Sequence, residues 1–193
     1  MGIEFELKYR SNPTQQAALL ARFGTEVRVI SMETTYYDTP DRLLSARHIT
    51  LRRRMENGTA VCTVKTPAGS AGRGEWDCLC DDIRVAVPEL CKLGAPEYIL
   101  LLTAQGLEPT CGARFTRRAV DIETADFTAE LAIDSGILLG GGREAPLCEV
   151  ELELKSGGAS AMAAFIEQIA AQYGLIPEPH SKFRRAKALA EGA

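Results

Sequence analysis

Residues Glu4-Phe5-Glu6-Leu7-Lys8 alternate charged and apolar side chains, and Cys148-Glu149-Val150-Glu151-Leu152-Glu153-Leu154-Lys155 repeats the device near the other end of the 193-residue chain. A period of two is the signature of an extended strand, whose successive side chains point to opposite faces. Ile3, Phe5 and Leu7 therefore share one face, and Glu4, Glu6 and Lys8 the other. Two such ladders, far apart in sequence, predict a sheet that folds back and gathers carboxylates in one place. A place of that kind attracts divalent metal.

The remaining elements are set by turn and cap signals. Asn12-Pro13 opens a helix running through Phe23, a strand follows from Val27 to Tyr37, and Asp38-Thr39-Pro40-Asp41 marks a turn. Asn57-Gly58 joins the strands 49–56 and 59–66 in the clearest hairpin of the sequence, because this pair supplies the positive φ angles of a two-residue turn. A loop is predicted over 67–72 and a strand over 73–80. Helical pattern covers 88–104, split at Gly94-Ala95-Pro96. Strands are predicted at 111–123, 127–133 and 147–155, with a turn at Gly140-Gly141-Gly142 and helices at 159–173 and 181–190. This pattern predicts one domain over 1–193 of α+β class, mostly antiparallel β: an eight-stranded closed, tunnel-like barrel with flanking helices.

Composition narrows the function. The net charge of −4 offers no global attraction for nucleic acid or anionic membranes, and no apolar run is long enough to span a bilayer. The amino terminus reads as a charged strand rather than a signal peptide, so a cytoplasmic protein is expected. The six cysteines form no CxxC and are expected to be reduced thiols.

Parity carried through the other strands places Thr50, Arg52 and Arg54 on one face, with Val61, Thr63 and Lys65 on one face of the hairpin partner. Arg73, Glu75 and Asp77 share a side, as do Glu130 and Asp134. Helices can cover the apolar faces, so the economical packing turns the charges inward. A dry interior would penalise unpaired charges by several kcal/mol each, so this interior must be wet and hold ions or a charged ligand. Lys8, Arg52, Arg54, Lys65 and Arg73 suit a polyanion, and the carboxylates suit Mg²⁺ or Mn²⁺. A metal–polyphosphate complex satisfies both.

These residues resemble the CYTH domain of the triphosphate tunnel metalloenzymes, across almost the whole chain. The resemblance rests on ExExK at Glu4, Glu6 and Lys8, Tyr36-Tyr37-Asp38-Thr39-Pro40, Leu51-Arg52-Arg53-Arg54, Thr63-Val64-Lys65 and Arg73-Gly74-Glu75-Trp76. Phe115-Thr116-Arg117, Glu130 to Asp134 with Gly136, Glu149 to Glu153 and Ser181-Lys182-Phe183-Arg184-Arg185 follow in order. Within the family the chain is most similar to bacterial inorganic triphosphatases. It lacks the His-Phe pair that typically precedes ExExK in class IV adenylyl cyclases. Trp76 falls on the parity opposite Arg73 and Glu75, which leaves thiamine triphosphatase without an evident ring platform.

The resemblance implies metal-dependent hydrolysis of a linear triphosphate, inorganic tripolyphosphate to pyrophosphate and phosphate. A class IV-type adenylyl cyclase, a thiamine triphosphatase and a non-catalytic polyphosphate- or nucleotide-binding module are the alternatives. It implies Glu4, Glu6, Glu149, Glu151 and Glu153 as metal ligands for Mg²⁺ or Mn²⁺, two ions with substrate bound, and Glu4, Glu6, Lys8 and Glu151 as the catalytic set. Lys8, Arg52, Arg54, Lys65, Arg73, Arg117, Lys182 and Arg185 would grip the phosphates, with Glu75, Glu130 and Asp134 supporting them. The expected partner is a small-molecule polyphosphate, with no nucleic acid and no membrane.

Overall fold

The computed structural model describes residues 5–192 apart from 68–72, with the side chain of Arg73 also outside that description. Strand β1 (Glu6–Arg10) leads into α1 (Pro13–Phe23), whose amino terminus is closed by a capping box between Asn12 and Gln15 with proline in the first turn. Next come β2 (Arg28–Asp38), the single-turn α2 (Leu43–Ala46) and the hairpin β3 (Thr50–Glu56) and β4 (Thr59–Pro67). Asn57 and Gly58 take φ of 48° and 89° at its turn, the conformation predicted from their identity. After β5 (Arg73–Leu79), helix α3 (Ile83–Lys92) is capped by Asp82, which accepts a hydrogen bond from the Arg84 amide, and α4 (Tyr98–Thr103) follows. Three long strands, β6 (Glu108–Glu123), β7 (Phe127–Gly140) and β8 (Arg143–Gly157), precede α5 (Ala159–Tyr173), the two-residue β9 (Ile176–Pro177) and α6 (Lys182–Glu191).

The mostly antiparallel α+β class is as predicted, but the closed eight-stranded barrel is not. The strands form one nine-stranded sheet in the order β5-β4-β3-β2-β6-β7-β8-β1-β9, with no ladder joining its two ends among the described residues. The reason lies at β1. Tyr9 and Arg10 pair on their outer side with Pro177 and Ile176, and the Glu178 amide donates to the Lys8 carbonyl at 2.8 Å. This short strand therefore takes part of the edge that closure would have needed. Pro177 has no N–H with which to carry the ladder further.

Three apolar clusters order the layers. On the convex face, β1 and β6–β8 pack Tyr9, Ile133, Val150 and Leu152 against α1 and α5 through Leu19, Met162 and Ile166. The same face of β3–β5 packs Leu51, Val64 and Trp76 against Leu44 of α2 and against Ile83, Leu90 and Ile99 of α3 and α4. Each fully buried Leu or Ile contributes about 1.5–3 kcal/mol through removal of apolar area from water. On the concave face, Met32, Tyr36, Phe115, Leu138 and Leu147 are covered by Phe183, Ala186 and Leu189 of α6. Gly136 permits this layer: a Cβ there would lie 2.5 Å from the Phe115 Cα on the neighbouring strand. The rest of the concave face carries the charges.

Candidate functional site

A cavity of about 480 Å³ opens on the concave face, lined by β1, β2, β3, β4, β5, β6, β8 and the amino terminus of α6. Lys8, Arg52, Arg54, Lys65, Arg117 and Lys182 share its wall with Glu6, Glu75, Asp77, Glu151 and Glu153. Strand parity predicts one face for Glu6, Lys8, Arg52, Arg54, Lys65, Glu75, Asp77, Glu151 and Glu153, and they share this wall, whereas Arg117 and Lys182 are expected from the family resemblance alone. Phe5 and Leu7 pack against the convex cluster, opposite Glu6 and Lys8. Glu4 lies outside the described residues, and Arg73 is placed only as the first residue of β5.

The basic side of the cavity is on β3 and β4. Arg54 is 8% exposed; its Nε donates to the Thr34 hydroxyl at 3.0 Å, and its nearest carboxylate, Glu56, is 3.7 Å away. Burial, with Arg52 and Arg117 as like-charged neighbours, lowers its pKa to about 10. The Nε of Arg52 is buried without a hydrogen-bond partner, and its guanidinium stands 3.7 Å from Glu75. Lys65 meets the same Glu75 at 2.8 Å. Glu75 thus stands between a guanidinium and an ammonium, and the arginine and lysine groups of this wall suit an anionic ligand.

The acidic side is a three-strand lattice. Across β7, β8 and β1 the register sets Asp134 beside Glu149 and Glu149 beside Arg10, then Glu151 beside Lys8, then Glu130 beside Glu153 and Glu153 beside Glu6. Its two ends differ. At the inner end Asp134 and Glu149 are fully buried, and one oxygen from each of Asp134, Glu149 and Glu151 lies within 4.8 Å of the others. Arg117 grips Asp134 with two hydrogen bonds of 2.8 Å and also reaches Glu151. The Lys182 ammonium lies 2.8 Å from Asp134 Oδ2 and 2.8 Å from Glu151 Oε1, and contacts Glu149 as well. Arg185 holds the second oxygen of Glu149.

Burial opposes the Lys182 charge, yet Glu151, Asp134 and Glu149 overcome it and raise its pKa. Glu151 follows the same logic. Burial would raise its pKa, but Lys182 and Arg117 hold it well below the usual carboxylate value. For Glu149 burial prevails over Lys182, and with Glu151 beside it the carboxyl is pushed up to about 7.

At the outer end Glu6 and Glu153 face each other directly, each 30% exposed, with Lys8 and Lys155 as same-strand partners at 2.9 and 2.7 Å. Like charges directly opposed across strands are destabilising unless a cation joins them. This pair, with water access, is the better fit to Mg²⁺ or Mn²⁺, which retain several waters and take one or two carboxylates plus phosphate oxygens. Glu130, predicted as a support for the cations, turns to Arg28 at 2.8 Å and does not line the cavity. Arg114 is exposed beside Glu144.

Several residues that shape the site are assigned no role from the sequence. Tyr36 and Phe183 line the cavity as an aromatic pair with ring centroids 5.0 Å apart. Buried Glu178 reaches Arg10 at 3.6 Å and Arg185 at 3.8 Å, linking β1 to α6. Asp38, within the Tyr-Tyr-Asp-Thr-Pro segment, accepts amide hydrogen bonds from Thr39, Leu44 and Ser45 and so fixes the turn into α2. Tyr36, Asp38 and Phe183 stand in motifs that carry the family resemblance, whereas Glu178 stands in none.

The CYTH domain profile matches residues 2–186. The chain belongs to the CYTH domain family. Among curated relatives it is similar to an inorganic triphosphatase of Haemophilus influenzae, 29% identical over 190 residues that cover 94% of this chain and 53% of the relative. The chain thus spans about half the length of that protein. It is also 26% identical to the human thiamine-triphosphatase, over 97% of this chain and 76% of the relative. A solved structure with the same fold is a putative adenylyl cyclase from Hippeastrum, described as having a dominant triphosphatase activity. Its TM-score is 0.70 at 14% identity, covering 98% of this chain and 96% of that one. No helix among the described residues is long and apolar enough to cross a membrane.

Proposed function

We propose that this CYTH domain hydrolyses the terminal phosphoanhydride bond of a linear triphosphate in a divalent-metal-dependent reaction, with inorganic tripolyphosphate as the substrate. The observation that carries the reading is one cavity that sets a cationic wall against a carboxylate pair. Arg54 is a buried cation and Arg52 has a buried Nε without a hydrogen-bond partner, each 3.7 Å from its carboxylate, while Glu6 and Glu153 oppose each other across β1 and β8, each held by a lysine of its own strand. A metal–triphosphate complex suits both. The triphosphatases among the relatives support the reaction class.

Glu6 and Glu153, with Glu4 and Glu151, would hold Mg²⁺ or Mn²⁺, which supplies charge neutralisation on the phosphate chain and Lewis acidity at the terminal phosphorus. Arg52, Arg54 and Lys65 grip the phosphate oxygens from the opposite wall, and their fixed positions stabilise charge on the transferring group without reorganisation. Lys8, Arg117 and Lys182 extend the positive lining toward the acidic side. Glu75 positions Lys65 and Arg52, and Asp134 positions Arg117.

The test is product analysis of purified protein with Mg²⁺ or Mn²⁺ and tripolyphosphate, ATP or thiamine triphosphate. Orthophosphate released fastest from tripolyphosphate is the expected result. Cyclic AMP formed from ATP without orthophosphate would instead establish a cyclase. Metal-dependent binding of tripolyphosphate with no turnover of any substrate would reduce the domain to a binding module.

A further inference from the structure

We infer that Lys182 is the resident cation of the inner carboxylate cage, occupying the place a divalent ion would take, so that Asp134 and Glu149 hold α6 rather than metal. An ammonium carries three donors. Here its nitrogen lies within ion-pair distance of one oxygen from each of Asp134, Glu149 and Glu151, the same three groups whose oxygens converge within 4.8 Å. Arg117 and Arg185 supply two further cations, so each carboxylate of the cage has a positive partner without any metal. The site also suits an ammonium better than Mg²⁺ or Mn²⁺. Asp134 and Glu149 have no solvent exposure, whereas Mg²⁺ dehydrates reluctantly and keeps several waters.

The consequence for the fold is a latch. Lys182 is the first residue of α6, directly after Ser181, which caps the helix by accepting from the Arg184 amide at 3.2 Å. Its side chain therefore anchors the helix end that also brings Phe183 to the cavity wall. The positive amino-terminal end of the helix dipole adds to the attraction for the cage. The inference rests on the proposed reading only in leaving the outer pair, Glu6 and Glu153, as the place for metal.

The experiment counts Mn²⁺ bound to the full chain without substrate, by electron paramagnetic resonance of the free ion, in the wild type and in the variants Glu149→Gln, Glu153→Gln and Lys182→Met. Glu149→Gln should leave the wild-type count unchanged and Glu153→Gln should lower it. Lys182→Met should gain an equivalent of Mn²⁺, lost again when Glu149→Gln is added. Loss of an equivalent in Glu149→Gln alone would overturn the inference, and this decides the matter even if Lys182→Met fails to fold. A folded Lys182→Met that gains no Mn²⁺ would overturn it equally. Should the wild type bind no Mn²⁺ either alone or with tripolyphosphate, the proposed metal-dependent reaction fails, while a gain in Lys182→Met still supports the cage.

Discussion

The two ends of one strand, β8, carry the same residue type into opposite conditions. Glu149 is sealed, shares Lys182 and Arg185, and belongs to a cluster whose charges are already matched. Glu153, four residues on, is open to water and confronts Glu6. Glu151 between them belongs to both, lining the cavity while bound by Lys182 and Arg117. A carboxylate ladder read as uniform is therefore divided by what packs on it: a helix at one end and solvent at the other. Burial makes the inner end a matter of stability, and exposure makes the outer end available for chemistry.

If the division holds, the largest stability effect belongs to the inner end. Asp134→Ala should cost about 3–5 kcal/mol in urea unfolding, because it strands the buried guanidinium of Arg117 and one contact of Lys182. Glu153→Gln should leave unfolding free energy within about 0.5 kcal/mol, while metal-dependent phosphate release falls about 10²-fold. A Glu153 variant that unfolds as readily as the Asp134 variant would erase the contrast.

The basic wall sharpens the same comparison. Arg54 is buried with weak partners, so Arg54→Met should stabilise the ligand-free protein by about 1 kcal/mol while abolishing tripolyphosphate protection in a thermal-shift assay. Equal loss of stability and binding would mean that Arg54 is structural.

The smallest effect is in the pH dependence. Because Glu149 is pushed up to about 7 in the folded protein, native Glu149 retains a proton that the unfolded chain has released between the ordinary carboxyl range and that value. Its contribution to stability therefore falls as pH rises through that window. Glu149→Gln removes this contribution, so relative to wild type its unfolding free energy should rise with pH from about pH 5 to 7. An identical slope in both proteins would place the Glu149 carboxyl among the ordinary ones.

Much of the site could be read from parity, because each strand between Arg52 and Glu153 keeps its alternation where the charges stand. The bulges between Tyr36 and Tyr37 and between Thr128 and Ala129 fall outside those charged runs. What parity could not show is which carboxylates a distant helix would claim. Lys182 and Arg185 look like the polar positions of a terminal helix until tertiary packing brings them onto β8. Helix α3 begins at Ile83, earlier than its apolar pattern suggests, because Pro88 within it resembles a start while Asp82 supplies the cap. Barrel closure was equally beyond reach. It turns on two residues, Ile176 and Pro177, too few to carry a periodic signal.

A sheet that stays open has two rims to protect from other chains. At one rim the final strand is two residues long and includes an imino acid, so a foreign strand finds little to hold. At the other, β5 carries Arg73, Glu75 and Asp77 along its length. Both rims are thus poor platforms for a foreign strand: one is too short and lacks an amide hydrogen, and the other alternates charged residues along its length.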